Sequence, residues 1–370
     1  MAKVLFRPAA YEYASLRRII FDMMDSLGGV RIGKNSHVVI KPNLLCPAPP
    51  ESAILTHPLI VKACVEYVLD RGGKPRISDS PAMGGFAKVI GTSGIKAALH
   101  GMDVEFREFT ISESIDVGEP FNKIEIAADA LRADFLINLP KLKTHTQMLL
   151  TLGVKNLYGC IVGLRKPEWH LRAGIDREMF ARLLVRIYRA VQPEITILDG
   201  ILAMEGQGPG KSGKPREVGV VIGSNDAVAL DSAVCAMLGL NPHQLLTNRM
   251  AHESGPAEGA PEIEGEVPEI KGFVLPEITP LIFGPERLHG FMRRHLVQRP
   301  VVDRSKCRAC GECRKYCPAK AISQEGEKIR FDYDKCIRCY CCVEVCPFAA
   351  LRTSETKTGG IVRRVLKKGF

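Results

Sequence analysis

From Lys3 to about His252, short β-branched runs alternate with longer stretches in which apolar positions recur every three or four residues. His37-Val38-Val39-Ile40-Lys41, Arg76-Ile77-Ser78, Asp134-Phe135-Leu136-Ile137-Asn138, Ile195-Thr196-Ile197-Leu198 and Val218-Gly219-Val220-Val221-Ile222 read as strands. Between them, Ile60, Ala63, Cys64, Tyr67 and Val68 repeat at helical spacing, as do Phe180, Leu183, Leu184, Ile187 and Tyr188. Repeated alternation of this kind predicts an α/β domain over residues 1–252: a mostly parallel sheet covered by helices on both faces. The pattern lapses over 253–300, where Pro, Gly and Glu recur without a sustained period, so this stretch reads as a linker or irregular wrap. A small α+β unit is expected over 301–352. A basic tail follows over 353–370, ending with Arg363, Arg364, Lys367 and Lys368. That tail reads as solvated, or as docking on an acidic partner or membrane surface.

The 301–352 unit carries the sharpest signal. Cys307, Cys310, Cys313 and Cys317-Pro318 form C-x2-C-x2-C-x3-C-P, and Cys336, Cys339, Cys342 and Cys346-Pro347 repeat it. Such a run lets one tight loop aim three thiolates at one cube, while its fourth cysteine crosses to the other cluster. The expected ligand sets are therefore Cys307, Cys310, Cys313 and Cys346 for one 4Fe-4S cluster, and Cys336, Cys339, Cys342 and Cys317 for a second. This is the arrangement of a bacterial-type, two-cluster ferredoxin-like module. Zinc also takes four thiolates, but zinc sites need no such doubled run. Cys341 is off the ligand register and is expected to be a small packing side chain. Cys64 and Cys235 sit among apolar helical neighbours and read as core. Cys46 and Cys160 lie beside polar loops, each open as a reactive thiol, an extra metal ligand or neither.

Polar motifs punctuate the large domain: Lys41-Pro42-Asn43-Leu44-Leu45, Thr56-His57-Pro58, Ser78-Asp79-Ser80-Pro81, Leu139-Pro140-Lys141-Leu142-Lys143-Thr144-His145, Gly153-Val154-Lys155-Asn156, and Asp199-Gly200 through Gly206-Gln207-Gly208-Pro209. As a set, over roughly residues 35 to 240, they resemble the domain-of-unknown-function 362 family, whose members often carry a C-terminal ferredoxin-like module. The resemblance implies no particular reaction. A remoter likeness to nickel-pincer lactate racemases has no residue pattern behind it. Read physically, most of these residues follow the carboxyl ends of predicted strands, where open parallel sheets bind ligands. Lys41, Lys141, Lys143, His145 and Lys155 would make that crevice basic, suited to a phosphate or carboxylate.

On this reading Lys141, Lys143, His145 and Asp199 are the candidates to act on a substrate. Lys41, Asn43, Asp79, Lys155 and Glu205 are the candidates to hold it or a cofactor. Asp79, Asp199 and Glu205 are also candidate ligands for an additional divalent metal. His57 either contributes or simply packs at a helix start after Thr56, a plausible N-cap; His170 is similarly open. Asp231 either points at the site or caps local backbone. Gly206-Gln207-Gly208-Pro209-Gly210-Lys211-Ser212 fails as a P-loop, because Glu205 stands where glycine is required and a strand follows. It is expected instead to be a mobile loop over the crevice, or an ordinary connection.

Composition narrows the class. At 370 residues, 46% hydrophobic and 25% charged, the chain is ordinary globular protein with room for more than one domain. No apolar run approaches the roughly 18 to 20 residues of a spanning helix. Thirteen cysteines, with no basic-then-apolar leader at the start, suggest reduced thiols and a cytoplasmic location. The formal charge of +10 falls to roughly +6 once about −2 per cluster is counted. That excess is too diffuse for nucleic acid. No G-x-G-x-x-G follows a strand and no C-x-x-C-H occurs. The expectation is a redox protein whose clusters exchange electrons between a partner protein and a small anionic substrate in the large domain. A non-redox enzyme with structural or sensing clusters, and an electron-transfer subunit with a docking domain, are the alternatives. Oligomeric state and the direction of electron flow stay open.

Overall fold

The computed structural model describes residues 1–163, 165–174, 176–255, 260–276 and 286–368. Twelve strands belong to the large domain: β1 (Lys3–Pro8), β2 (His37–Pro42), β3 (Lys74–Ile77), β4 (Glu105–Phe106), β5 (Ser112–Gly118), β6 (Asn122–Ala127), β7 (Phe135–Leu139), β8 (Lys141–His145), β9 (Leu149–Thr151), β10 (Ile195–Gly206), β11 (Gly213–Ser224) and β12 (Glu262–Glu264). The main sheet runs β12-β1-β11-β10-β7-β2-β3-β4, with β8 and β9 branching from β10. Its centre is parallel: β10 with β7, β7 with β2, β2 with β3, and β3 with β4. The alternating pattern left out the far side, where β11 pairs antiparallel with both β10 and β1. The sheet is thus mixed but mostly parallel. β5 and β6 form a separate antiparallel hairpin.

Successive residues of the central strands serve opposite faces, which is the period-two rule at work. Val38 and Ile40 join Ile137 and Leu139 under the helices Tyr13–Ser26 and Pro58–Asp70, whereas Val39 and Leu136 pack with the helix Arg177–Val191 on the other side. Covering both faces explains why these strands are apolar throughout rather than alternating. The helix Pro58–Asp70 is capped by His57, whose Nδ1 accepts from Leu59 N at 3.2 Å. Thr56, expected as the cap, instead donates to Leu139 O and accepts from Asn43 N.

The stretch read as a linker is more ordered than its composition suggests. It contributes β12 to the sheet edge and a helix over Glu286–His295; residues 256–259 and 277–285 of it lie outside the described residues. The cysteine module follows, with β13 (Arg299–Val302) paired to β16 (Leu351–Ser354) and β14 (Ile322–Glu325) to β15 (Lys328–Phe331). The tail carries a helix, Lys357–Lys368, whose side chains from 363 onward are not described.

This module sits on the carboxyl edge of the sheet. Val345 and Tyr316 pack against the large domain's core, Thr353 Oγ1 bonds Gln207 Oε1 at 2.8 Å, and Ser212 Oγ donates to Leu351 O at 3.4 Å. The glycine-rich segment is therefore the turn of the β10–β11 hairpin clamped beneath the module, not a flap over an open crevice. A Cβ on Gly210 would stand 2.8 Å from Glu344 O, so only glycine permits this approach.

Candidate functional site

The module encloses two hollows. One is lined by Cys307, Cys310, Cys313 and Cys346, the other by Cys317, Cys336, Cys339 and Cys342. Both sets are free thiols. They are the two sets that the crossing of Cys317 and Cys346 requires, so the donor chemistry and grouping fit two 4Fe-4S clusters.

A third cavity, of about 110 Å³, lies between the strand ends and the module. Lys41, Lys143, Lys155 and Lys166 line it together with Asn43, Asp79, His145 and His170, and the module contributes Cys341, Glu344 and Tyr316. Four of its residues follow directly from strand geometry: Lys41 is the penultimate residue of β2, Asp79 follows β3, and Lys143 and His145 point from β8. Lys155 is carried by the short helix Gly153–Asn156, whose first amides, Gly153 N and Val154 N, donate to Asp231 at 2.7 and 3.2 Å. Asp231 is thus a backbone cap that positions the Lys155 loop.

The lysines differ in how well they are satisfied. Lys41 Nζ is 3.1 Å from Asp79 Oδ1, and Asp79 also accepts from Leu44 N and Ser80 N. Gly159 closes over this pair; a Cβ there would lie 2.1 Å from Asp79 Oδ1. Lys143 donates to Asn43 Oδ1 at 2.7 Å and Ile54 O at 2.8 Å, and burial brings it down to about 7. Lys166 donates to Ser80 O at 2.7 Å and is brought by burial to about 8. Lys155 has no carboxylate within ion-pair reach among the described residues; its Nζ lies 5.6 and 5.5 Å from the ring centroids of Tyr158 and Phe180. Thr151 Oγ1 and His170 Nδ1, both buried at this cavity, also lack a hydrogen-bond partner among the described residues.

His145 faces the module. Its Nδ1 accepts from Gln147 N and Met148 N at 3.1 and 3.2 Å, which puts the proton on Nε2, 3.0 Å from Glu344 Oε1. Burial holds the imidazole neutral, down at about 4, so this is a neutral ring set against a carboxylate rather than an ion pair, and Glu344 Oε1 has no hydrogen-bond partner among the described residues. Burial opposes ionisation of Glu344, but His145 and Lys155 outweigh it and leave the carboxyl at about 2.

Lys141 and Asp199 lie elsewhere, in a closed network outside the cavity. Lys141 Nζ meets Asp199 Oδ2 at 2.8 Å and Tyr11 Oη at 2.9 Å, while Tyr11 donates to Asp199 Oδ1 at 2.7 Å and His57 N to Oδ2 at 2.9 Å. Glu205 is remote from both groups, accepting from Val274 N at 3.0 Å near Arg216. The three carboxylates suggested for a divalent metal therefore occupy three separate places. Among the described residues no three His, Cys, Asp or Glu side chains close to single-ion spacing, a tighter arrangement than a cube demands.

Residues 38–236, more than half of the chain, match the family described as domain of unknown function DUF362. The chain belongs to the DUF362 family. Residues 299–347 match a 4Fe-4S dicluster domain, which with the two four-thiol hollows makes this DUF362 protein a two-cluster iron–sulfur protein. It is 36% identical over 305 residues to the thylakoid-associated protein sll1697 of Synechocystis, covering 80% of this chain and 95% of that one. The module alone is 45% identical over 56 residues to pyruvate synthase subunit PorD of Thermotoga maritima, 15% of this chain and 57% of that one. The lactate racemase apoprotein of Thermoanaerobacterium thermosaccharolyticum aligns at 14% identity with a TM-score of 0.40, covering 61% of this chain and 54% of that one.

Several residues of the DUF362 cavity escaped the sequence reading. Lys166, Tyr158 and Glu344 carry no local signal; Lys166 stood beside the flagged His170 in Lys166-Pro167-Glu168-Trp169-His170. Cys341 faces the cavity rather than the module's own packing. Cys46 is buried and its thiol is pushed up by that burial; Cys160, pushed up to about 12, is buried too. Neither has the exposed, thiolate-favouring surroundings of a reactive cysteine. Cys64 and Cys235 are buried in the core.

Proposed function

We propose that this protein binds a small anionic substrate in the lysine-lined cavity and that electrons pass between that substrate and a redox partner through the cysteine module. One observation carries the reading: the helix Cys341–Glu344, which contains the cluster ligand Cys342 and lies between Cys339 and Cys346, forms a wall of the same cavity as four lysines. When bound, the 4Fe-4S clusters supply one-electron transfer.

The chain's own residues supply recognition. Lys155 and Lys143 offer charge to an anion, and charge-assisted bonds are the strong ones in such sites. A buried polar atom without a partner costs about 1 to 3 kcal/mol, so Thr151 Oγ1 and His170 Nδ1 are natural contacts for a ligand. The cavity is somewhat smaller than the roughly 150 Å³ engineered cavity that takes benzene, which suits a ligand of up to about six heavy atoms. A short-chain carboxylate fits this size and charge. Burial of Lys41, Lys143 and Lys166 among Thr, His and Asn favours a binding site over a mere docking platform. Thirteen cysteines that form no disulfide suit a reducing compartment such as the cytoplasm, and among the described residues no helix is long and apolar enough to cross a membrane.

The test is to titrate anaerobically prepared protein, carrying about eight iron per chain, with two- to four-carbon carboxylates and with phosphate while recording the EPR of the reduced clusters. Saturable binding that perturbs one of the two cluster signals is expected. Binding that leaves both signals unchanged would instead favour a non-redox enzyme, and no saturable anion binding would refute the site.

A further inference from the structure

The two cysteine runs are internal copies offset by 29 residues, so 303–315 and 332–344 are equivalent segments. Their charges have diverged. The first holds five basic residues, Arg304, Lys306, Arg308, Arg314 and Lys315, against two acids, Asp303 and Glu312. The second holds Lys335 and Arg338 against Asp332, Asp334 and Glu344. At the equivalent positions Arg304 becomes Tyr333, Arg308 becomes Ile337, Arg314 becomes Val343 and Lys315 becomes Glu344.

Exposure has diverged in step. Cys310 of the first hollow is exposed, whereas no cysteine of the second is, two of them being buried and two half-buried. Arg308 and the 44%-exposed Phe348 line the first hollow. Arg304, Arg308 and Arg314 are exposed, and no carboxylate among the described residues lies within ion-pair reach of them. Asp303 is taken up by Ser305 and Lys306, and Glu325 on the neighbouring hairpin by Arg330. Glu327 is an acid on the same hairpin. The second copy's Tyr340 and Arg338 are buried instead, and its Glu344 turns inward to His145.

We propose that the face around Cys310, where Phe348 and Arg308 line the hollow and Arg304 and Arg314 are exposed on the same cysteine-bearing segment, docks an acidic single-electron carrier protein, and that electrons cross at the first cluster rather than the second. An exposed aromatic beside one exposed cation, with two more exposed cations on the same segment, suits an acidic partner, because peripheral charges steer encounter and an apolar patch is desolvated on contact. One electron leaves the carrier's reduced centre and one is gained by the cluster that Cys307, Cys310, Cys313 and Cys346 hold; no bond or proton moves. The inference does not depend on what fills the lysine-lined cavity.

The experiment compares full-length holoprotein with the variant R304E/R314E, neither residue lining a cluster hollow. A strongly acidic two-iron ferredoxin serves as probe, its binding followed by calorimetry and its electron transfer by stopped flow. At low ionic strength the variant should bind and react about tenfold or more weakly, the usual scale of electrostatic steering. The gap should close near 0.5 M salt, where the Debye length is about 4 Å. Iron content and photochemical reduction by a neutral deazaflavin should match the parent. Three results would overturn the proposal: equal rates for the two proteins, faster reaction with a basic cytochrome than with the ferredoxin, or arginine-dependent binding to anionic lipid vesicles in place of the ferredoxin.

Discussion

Lys141 and Lys143 are two residues apart on one strand and project to the same side, yet they live in different chemical settings. Lys141 is locked between Asp199 and Tyr11, and every polar atom of that group has a partner. Lys143 looks into the cavity, held by neutral oxygens of Asn43 and Ile54. Lys155, half-buried on the same cavity, has aromatic faces beside it and no carboxylate within ion-pair reach among the described residues. A buried lysine that has its own carboxylate is a structural element. One with no carboxylate in ion-pair range among the described residues is what the proposed anion site calls for, since burying an unpaired charge is costly until something compensates it.

The largest effect expected from this contrast is on stability. Lys141→Met leaves Asp199 buried without its cation, and breaking a buried pair in this way costs about 3 kcal/mol or more. Thermal unfolding should shift down by roughly 10 °C, with anion affinity intact below the transition. An unchanged melting temperature would show that Tyr11 and the backbone donors alone suffice for Asp199.

Lys155→Met should do the reverse. Losing a charge-assisted contact of about 1.5 to 3 kcal/mol weakens anion binding roughly ten- to a hundredfold, whereas melting should move little because no ion-pair partner in the protein is stranded. If affinity survives, the cavity is not where the anion sits.

Titration offers a subtler test. Burial lowers Lys143 to about 7 and Lys166 to about 8, so both are charged below these values and lose their protons above them. An anion prefers the charged forms. Affinity measured by calorimetry should therefore fall as pH rises from 6 to 9, by roughly tenfold, and Lys143→Met should flatten the lower part of that fall. A rise with pH would contradict the assignment.

The smallest effect concerns Glu344, the carboxylate that the module sends into the cavity. Glu344→Gln removes a charge that competes with any anion, and affinity should rise roughly fivefold, equivalent to about 1 kcal/mol. Iron analysis checks that the neighbouring cluster ligands are undisturbed.

How much of this was readable beforehand follows from how local each signal is. The cluster thiols announce themselves because a cube needs a tight loop, and a tight loop is a fixed spacing in the chain. Strand ends announce themselves too: β-branched runs stop where polar residues begin, which put Lys41, Asp79 and Lys143 on one edge of a mostly parallel sheet. The antiparallel β10–β11 hairpin did not, because its turn residues resemble a flexible loop until something packs on them.

What the tertiary structure alone decided is the pairing. Nothing near Lys141 says that Asp199, 58 residues away, will neutralise it, and nothing near Lys155 says that no acid will. Glu344 is an ordinary residue between two cysteines until the module docks and turns it toward His145. Local spacing encodes which side chains can hold a cluster, since covalent neighbours share one loop. Which charge is satisfied depends on segments that meet only in the folded chain, and that distinction separates Lys141 from Lys143 and Lys155.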